Sequence, residues 1–220
     1  MLKKLVFIIF LTSSFLLKAE ELRLPFEGYW FVAAAGDTTN VNHHMFEPSQ
    51  FFGVDFAKVK GRDDRRLYLR DGRHLEDYFS FGQRVYSPIG GEVISVENSL
   101  ADNPIGTYDK KSPFGNYVGI KTDKGQYLFL AHFKKLSLGV KVGDKVKIGD
   151  PLGLCGNSGN SDYPHIHLHL QDSSIPYKGY GLEMEFRQIN VDLSGKRFEG
   201  VTWPLISGLF VEPTNEVLKK

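Results

Sequence analysis

The chain has 220 residues, with 27 Lys and Arg against 26 Asp and Glu, and a single cysteine. That length suits one domain plus a targeting segment, and the near-neutral balance gives no electrostatic footprint for nucleic acid. One cysteine excludes an intramolecular disulfide and a cysteine-built zinc site; Cys155, in Leu152-Gly153-Leu154-Cys155, reads as a small buried core residue.

In chain order, the first element is a leader at residues 1–19. Lys3 and Lys4 precede a mostly apolar run over 5–17, and Leu17-Lys18-Ala19 ends on a small residue. The run is short for a membrane span, so it reads as a removable secretory signal rather than an anchor, with the mature chain beginning near Glu20. No cysteine follows it to carry a lipid, and no stable membrane anchor is expected. Removing 1–19 takes away Lys3, Lys4 and Lys18 and no acid, which leaves 24 basic against 26 acidic residues.

The rest is almost entirely β in pattern. Short runs rich in Val, Ile, Phe and Tyr alternate with Gly, Asn, Asp and Pro clusters. Strands are predicted at 29–33, 51–57, 91–97, 116–122, 126–132, 145–147, 151–155 and 165–171, with another at 183–190. Thr122-Asp123-Lys124-Gly125 reads as a hairpin turn, and a short helical turn fits 133–137. Two polar, Gly/Pro-punctuated stretches, 58–82 and 98–115, read as long loops that either border a binding site or are solvated decoration. The sequence has no internal repeat and no low-complexity tract.

The densest chemistry lies in Pro164-His165-Ile166-His167-Leu168-His169-Leu170. On a strand, alternate side chains share a face. His165, His167 and His169 therefore point one way, and Ile166, Leu168 and Leu170 point into a core. Such a row can hold a metal and a proton shuttle in fixed relation, or it can be the polar face of a half-exposed strand. Other features join it. Asp55 interrupts the apolar run Gly53-Val54-Asp55-Phe56, and a buried carboxylate needs a cation or several donors. Asn42-His43-His44 lies a short way upstream. Leu128-Phe129-Leu130-Ala131-His132-Phe133 is a β run ending near a histidine, and residues 142–153 form a turn–strand–turn with glycines at its corners.

In order, these features resemble the lysostaphin-type (LytM-like) zinc metalloendopeptidases, which cut peptide bonds in bacterial peptidoglycan. The resemblance covers 42–171. Gly53-Val54-Asp55 is similar to the family's early Asp strand, and Ser87-Pro88-Ile89-Gly90-Gly91-Glu92-Val93 to its strand entry. Gly115-Asn116-Tyr117-Val118 is similar to "GN-x-V", and Ala131-His132-Phe133 to "x-H-L". Asn157-Ser158-Gly159 followed by Pro164-His165-Ile166-His167-Leu168 is similar to "S-x-G … P-H-L-H-F". The resemblance implies an all-β fold, a single LytM-like antiparallel β-sheet or barrel-like domain with long loops flanking a groove. It implies a Zn2+ cofactor, with His167 and Asp55 as metal ligands and His165 and His132 as catalytic histidines.

The family places its remaining ligand four residues before the Asp. Here that position is Phe51, which cannot bind zinc. A branch of the family carries "N-x-H … F-x-x-D" together with "DN-P-x-G" and "CGNSGNS" stretches, as in this chain. Aligning Asn42-His43-His44 with "N-x-H" puts the third ligand at His44, with His43 as the alternative. His169 and His74 have no counterpart in the pattern. His169 reads as lying behind the site or along the groove, and His74 as a loop residue. The implied activity is zinc-dependent hydrolysis of peptidoglycan stem or cross-bridge peptides, in the periplasm or cell envelope after export. The alternative is a non-catalytic module that binds peptidoglycan or activates another hydrolase. The expected division is a signal peptide at 1–19, an N-terminal extension at 20–41, the core at 42–171 and a C-terminal extension packing on it at 172–220. Oligomeric state is not legible.

Overall fold

The computed structural model describes residues 20–214, so the leader read at 1–19 lies outside it. The strands in chain order are β1 (Glu20–Leu22), β2 (Trp30–Ala34), β3 (Val54–Lys58), β4 (Arg84–Tyr86), β5 (Gly91–Glu97), β6 (Asn116–Thr122) and β7 (Tyr127–Phe133). They continue with β8 (Lys145–Val146), β9 (Pro151–Leu154), β10 (Ile166–Gln171), β11 (Gly181–Leu182), β12 (Met184–Leu193), β13 (Lys196–Trp203) and β14 (Phe210–Pro213). Among the described residues the helical pieces are three short 3-10 turns, His43–Phe46, Pro48–Gln50 and Leu75–Asp77. One sheet runs β1-β12-β14-β2-β3-β10-β7-β6-β5-β8, with β11 beside β10 and β13 beside β12, and β4 pairs with β9 apart from it. β1 and β12 are parallel, and the other pairs are antiparallel. The expected all-β, antiparallel architecture is the one that forms.

Three local readings change. The strand predicted at 51–57 begins at Val54, because Gly53 N–H donates to Gln50 O at 2.8 Å and Phe52 has φ 64°, closing a turn ahead of it. The helical turn predicted at 133–137 is a single non-helical turn closed by Ser137 N–H to Lys134 O. The hairpin of β12 and β13 turns on Ser194-Gly195, both with positive φ, the signature of a primed two-residue turn. Its strand β13 is largely polar and open to solvent, so it lacks the apolar alternation that marks the others.

The centre of the molecule is β10, buried along its whole length. Ile166, Leu168 and Leu170 enter the main core with Val54, Phe56, Leu128 and Leu130. The histidine face is covered as well. Phe114, Phe129 and Ala131 form a second, smaller cluster there, with Tyr117, Tyr127 and Tyr177 against it. His167 and His169 are only 2% and 0% exposed, which removes the reading of a half-exposed polar face. β3 and β7 flank β10, with Asp55 and Ala131 both in register with His167. Directly opposed residues share a face, so the sheet itself sets the Asp55 carboxylate beside the His167 ring.

Leu168→Ala removes a fully buried side chain at this centre. It is expected to lower unfolding free energy by about 2–5 kcal/mol in equilibrium urea denaturation, and a loss under about 1 kcal/mol would contradict the two-sided burial of β10.

Candidate metal centre

One carboxylate oxygen of Asp55, Oδ1, lies 2.9 Å from His167 Nδ1. On the other, Oδ2, His44 Nε2 lies 2.9 Å away and His43 Nε2 3.8 Å away. The His44 contact is not aligned as a hydrogen bond, so this buried ring nitrogen has no hydrogen-bond partner. His43, His44 and Asp55 together offer donor atoms all within 4.8 Å of one another. Burial separates the two histidines: the His43 side chain is 69% exposed and that of His44 9%. His44 and His167 thus flank the two oxygens of the buried Asp55 carboxylate, and the more exposed His43 lies beside them.

Asn42 explains how a loop holds His44 so firmly. Its side chain is fully buried and caps the 3-10 turn by accepting from His44 N–H at 3.1 Å. Its amide donates to Gly36 O at 2.8 Å and Gly53 O at 3.1 Å, which ties the start and end of the loop together. Gly53 is needed for closeness: a Cβ there would lie 3.2 Å from both the His44 and His167 rings and 2.9 Å from Gln50 O. The sequence flagged Asn42 only as part of a motif, and its capping role was not legible without the fold.

His132 and His165 come together on the other side of the site, with ring centroids 4.7 Å apart. The His165 Nδ1–H donates to Tyr163 O at 2.8 Å, and the His132 Nδ1–H donates to Ser158 O at 2.8 Å. A carbonyl can only accept, so each ring carries a proton on Nδ1, and in its neutral form each keeps a lone pair on Nε2. For His165 that nitrogen is 3.7 Å from Asp55 Oδ1. Ser158 is itself locked, donating to Phe133 O and accepting from Asn116 N–H. Gly115, at φ 60°, lets β6 approach this loop, since a Cβ there would sit 2.4 Å from the Ser158 carbonyl.

His132 reaches the site through a backbone irregularity. Strict alternation along β7 would send it to the main core with Leu128 and Leu130. The β6–β7 register instead slips between Asn116 and Val118, and His132 adopts φ 66°. Such bulges re-aim side chains, and a left-handed non-glycine residue holds strain of order 1–3 kcal/mol. The bulge turns the imidazole to the site and gives Phe133 to the main core.

Burial, above all, holds His167 and His169 down at about 3, and it also keeps His132 well below the ordinary histidine range, so these rings are neutral. Burial also lowers His43. For Asp55, burial pushes upward, but His44, His165 and the His167 contact outweigh it and hold the carboxyl well below the usual range. Burial raises Tyr163 to about 12, so its phenol stays protonated beside His165. His43, His44, Asp55, His132, Tyr163, His165 and His167 line one cleft of about 660 Å³, with aromatic walls that include Phe46, Tyr108, Phe114 and Tyr177. The loop 98–115 thus borders the cleft through Tyr108, Pro113 and Phe114. The loop 58–82 reaches it only indirectly, where Tyr78 stacks on Tyr163. His74 lies outside the cleft, its N–H donating to Asp77 at 3.3 Å. Cys155 is buried in the core.

Zinc fits these residues. Two imidazole nitrogens and a carboxylate are a catalytic-type donor set that leaves a fourth position open. A tetrahedral shell sets donors about 3.3 Å apart, and the 2.9 Å contacts at Asp55 are within about half an ångström of that. The partnerless Nε2 of His44 is the kind of buried atom a cation would satisfy.

Residues 77–178 match the model for Peptidase family M23. The chain is 36% identical over 83 residues to an "Uncharacterized metalloprotease" of Buchnera aphidicola subsp. Baizongia pistaciae, covering 38% of this chain and 20% of that protein. It is 30% identical over 110 residues to Endolysin 2638A of Staphylococcus phage 2638A, covering 48% of this chain and 22% of that protein. These matches therefore span about a fifth of each relative. The catalytic domain of the antimicrobial peptidase lysostaphin from Staphylococcus simulans aligns with TM-score 0.38 and 22% identity over 58% of this chain and 71% of that one. The family match contains His132, His165 and His167 but begins downstream of His44 and Asp55. Among the described residues, no helix is long and apolar enough to cross a membrane.

The left-handed backbone at His132 makes a stability prediction. His132→Gly is expected to be more stable than His132→Ala by about 1 kcal/mol, the reverse of the usual order, because only glycine adopts φ 66° freely. Paired thermal or denaturant unfolding of the two variants checks this, and Ala equal to or above Gly contradicts it.

Proposed function

We propose, from the match of residues 77–178 to Peptidase family M23, that the chain is a zinc-dependent endopeptidase of the lysostaphin/LytM type. The bonds it cuts are those of peptidoglycan stem or cross-bridge peptides. The observation that carries the reading is the meeting of His44, Asp55 and His167 in one cleft with His132 and His165. His44 Nε2, the Asp55 carboxylate and His167 Nδ1 would hold the metal. Zinc there supplies Lewis acidity toward a scissile carbonyl.

The protein's own groups account for proton movement. His132 and His165 each present an Nε2 lone pair to the cleft, positioned by a carbonyl behind the ring. One such nitrogen takes a proton as water attacks the carbonyl carbon. The same proton, now on Nε2, is given to the amine nitrogen as the C–N bond breaks. The other ring, on taking a proton from solvent at Nε2, can donate a hydrogen bond to the oxyanion and keeps that proton as the intermediate collapses. Phe46, Tyr108, Phe114 and Tyr177 give the cleft aromatic walls suited to an extended peptide. The same reading includes export to the periplasm or cell envelope and the division into a leader (1–19), an N-terminal extension (20–41), a peptidase core (42–171) and a C-terminal extension (172–220).

One observation favours a second reading, a LytM-like module that binds peptidoglycan or activates a separate hydrolase: the family match omits the segment bearing His44 and Asp55. The two readings separate in one experiment, release of peptides from purified peptidoglycan with zinc measured on the same samples. The enzyme reading expects one zinc per chain and turnover. His167→Ala and Asp55→Ala should lose both metal and activity. His132→Ala and His165→Ala should keep zinc and lose about 10²–10⁴-fold in rate. His167→Ala hydrolysing at the wild-type rate would sink the assignment, and binding without hydrolysis in the wild type would favour the module.

A further inference from the structure

His169 lies beyond the roles assigned to His132, His165 and His167, yet it is wholly buried directly behind His167. His167 Nε2 is 2.8 Å from His169 Nδ1, and His169 Nε2 is 3.2 Å from Gln171 Oε1. Gln171, also wholly buried, donates from its amide nitrogen to Ser173 O at 2.6 Å and Ile175 O at 2.9 Å. We infer that His169 and Gln171 are positioning residues that fix the proton of His167 on Nε2, so that its Nδ1 lone pair faces Asp55 and the site requires a cation there. The inference rests on the proposed zinc site and deepens it.

The polarity starts at the far end. Two backbone carbonyls can only accept, so they hold the Gln171 NH2 in place and turn Oε1 toward His169. That oxygen also only accepts, so His169 carries its hydrogen on Nε2. Its Nδ1 is then an acceptor, and His167 must donate to it from Nε2. His167 Nδ1 is left with a lone pair, 2.9 Å from a carboxylate oxygen.

Counting hydrogens gives the same result. The run Asp55, His167, His169, Gln171 has three contacts and acceptors at both ends. Two neutral imidazoles bring only two N–H groups. One contact must therefore lack a hydrogen, and two acceptors facing each other in a buried site are unfavourable. The His169 contacts are sealed between Phe114 and Phe129, whereas the Asp55 contact opens on the cleft. The missing positive charge enters there, between His167 Nδ1 and Asp55.

The test pairs two readouts that do not require catalysis. Long-range nitrogen–proton correlation spectra of the zinc-loaded wild-type protein should show hydrogen on Nε2 of both His167 and His169. A hydrogen on Nδ1 of either overturns the inference. Zinc affinity from chelator competition should fall about 10–100-fold in His169→Phe, which fills the aromatic slot without an acceptor. His169→Gln, whose amide accepts at one end and donates at the other, should stay within a few-fold of wild type. Unchanged affinity in His169→Phe, or an equal loss in His169→Gln, overturns the inference, as does a wild-type protein that binds no zinc. A wild-type protein that binds zinc in this order yet leaves peptidoglycan intact contradicts only the proposed activity.

Discussion

Everything at the site depends on a carboxylate placed where water cannot solvate it. Asp55 sits in the third strand, in register with His167 of the tenth, and both are nearly sealed from solvent. An isolated buried carboxylate is strongly disfavoured unless cations or donors compensate it. Here the surrounding groups are imidazoles, and those at His132, His167 and His169 are kept neutral by the same burial. A carboxylate buried against the neutral ring of His167 is a poor stabilising device and a good cation trap.

The remaining architecture keeps that arrangement from relaxing. The main core fixes the tenth strand from one side through Ile166, Leu168 and Leu170, while the aromatic cluster of Phe114 and Phe129 closes the histidine side. Each ring around Asp55 is then set by something behind it: His44 by the Asn42 cap, His132 by the Ser158 carbonyl, His165 by the Tyr163 carbonyl and His167 by His169. Backing by acceptors decides which nitrogen faces the cleft, Nε2 for His132 and His165 and Nδ1 for His167. Rigid supporting contacts of this kind are what hold ligands and proton carriers in register.

Much of this was legible in the sequence. Alternation of histidine with Ile and Leu over 165–170 announced a two-faced strand, and the ordered glycine, asparagine and histidine motifs announced the fold. What was not legible arises from contacts distant along the chain. Periodicity does not indicate that a loop eleven residues upstream will fold back to place His44 on Asp55, and only the motif resemblance pointed to that residue. The reversal of His132 depends on a slip in pairing with the sixth strand, which alternation along the seventh cannot foresee. The burial of His169 comes from Phe114, over fifty residues earlier. The terminal hairpin was missed for a different reason: Ser194-Gly195 carries its turn signal, but the strand after it is polar.

The central claim is that one ion joins the upstream loop to the two central strands. Anomalous diffraction at the zinc edge from crystals of the zinc-loaded protein tests it most directly. The account expects a single strong peak bonded to His44 Nε2, the Asp55 carboxylate and His167 Nδ1, with His132 and His165 facing it unbonded. A peak that leaves His44 aside, or an ion held through His167 Nε2, would contradict it.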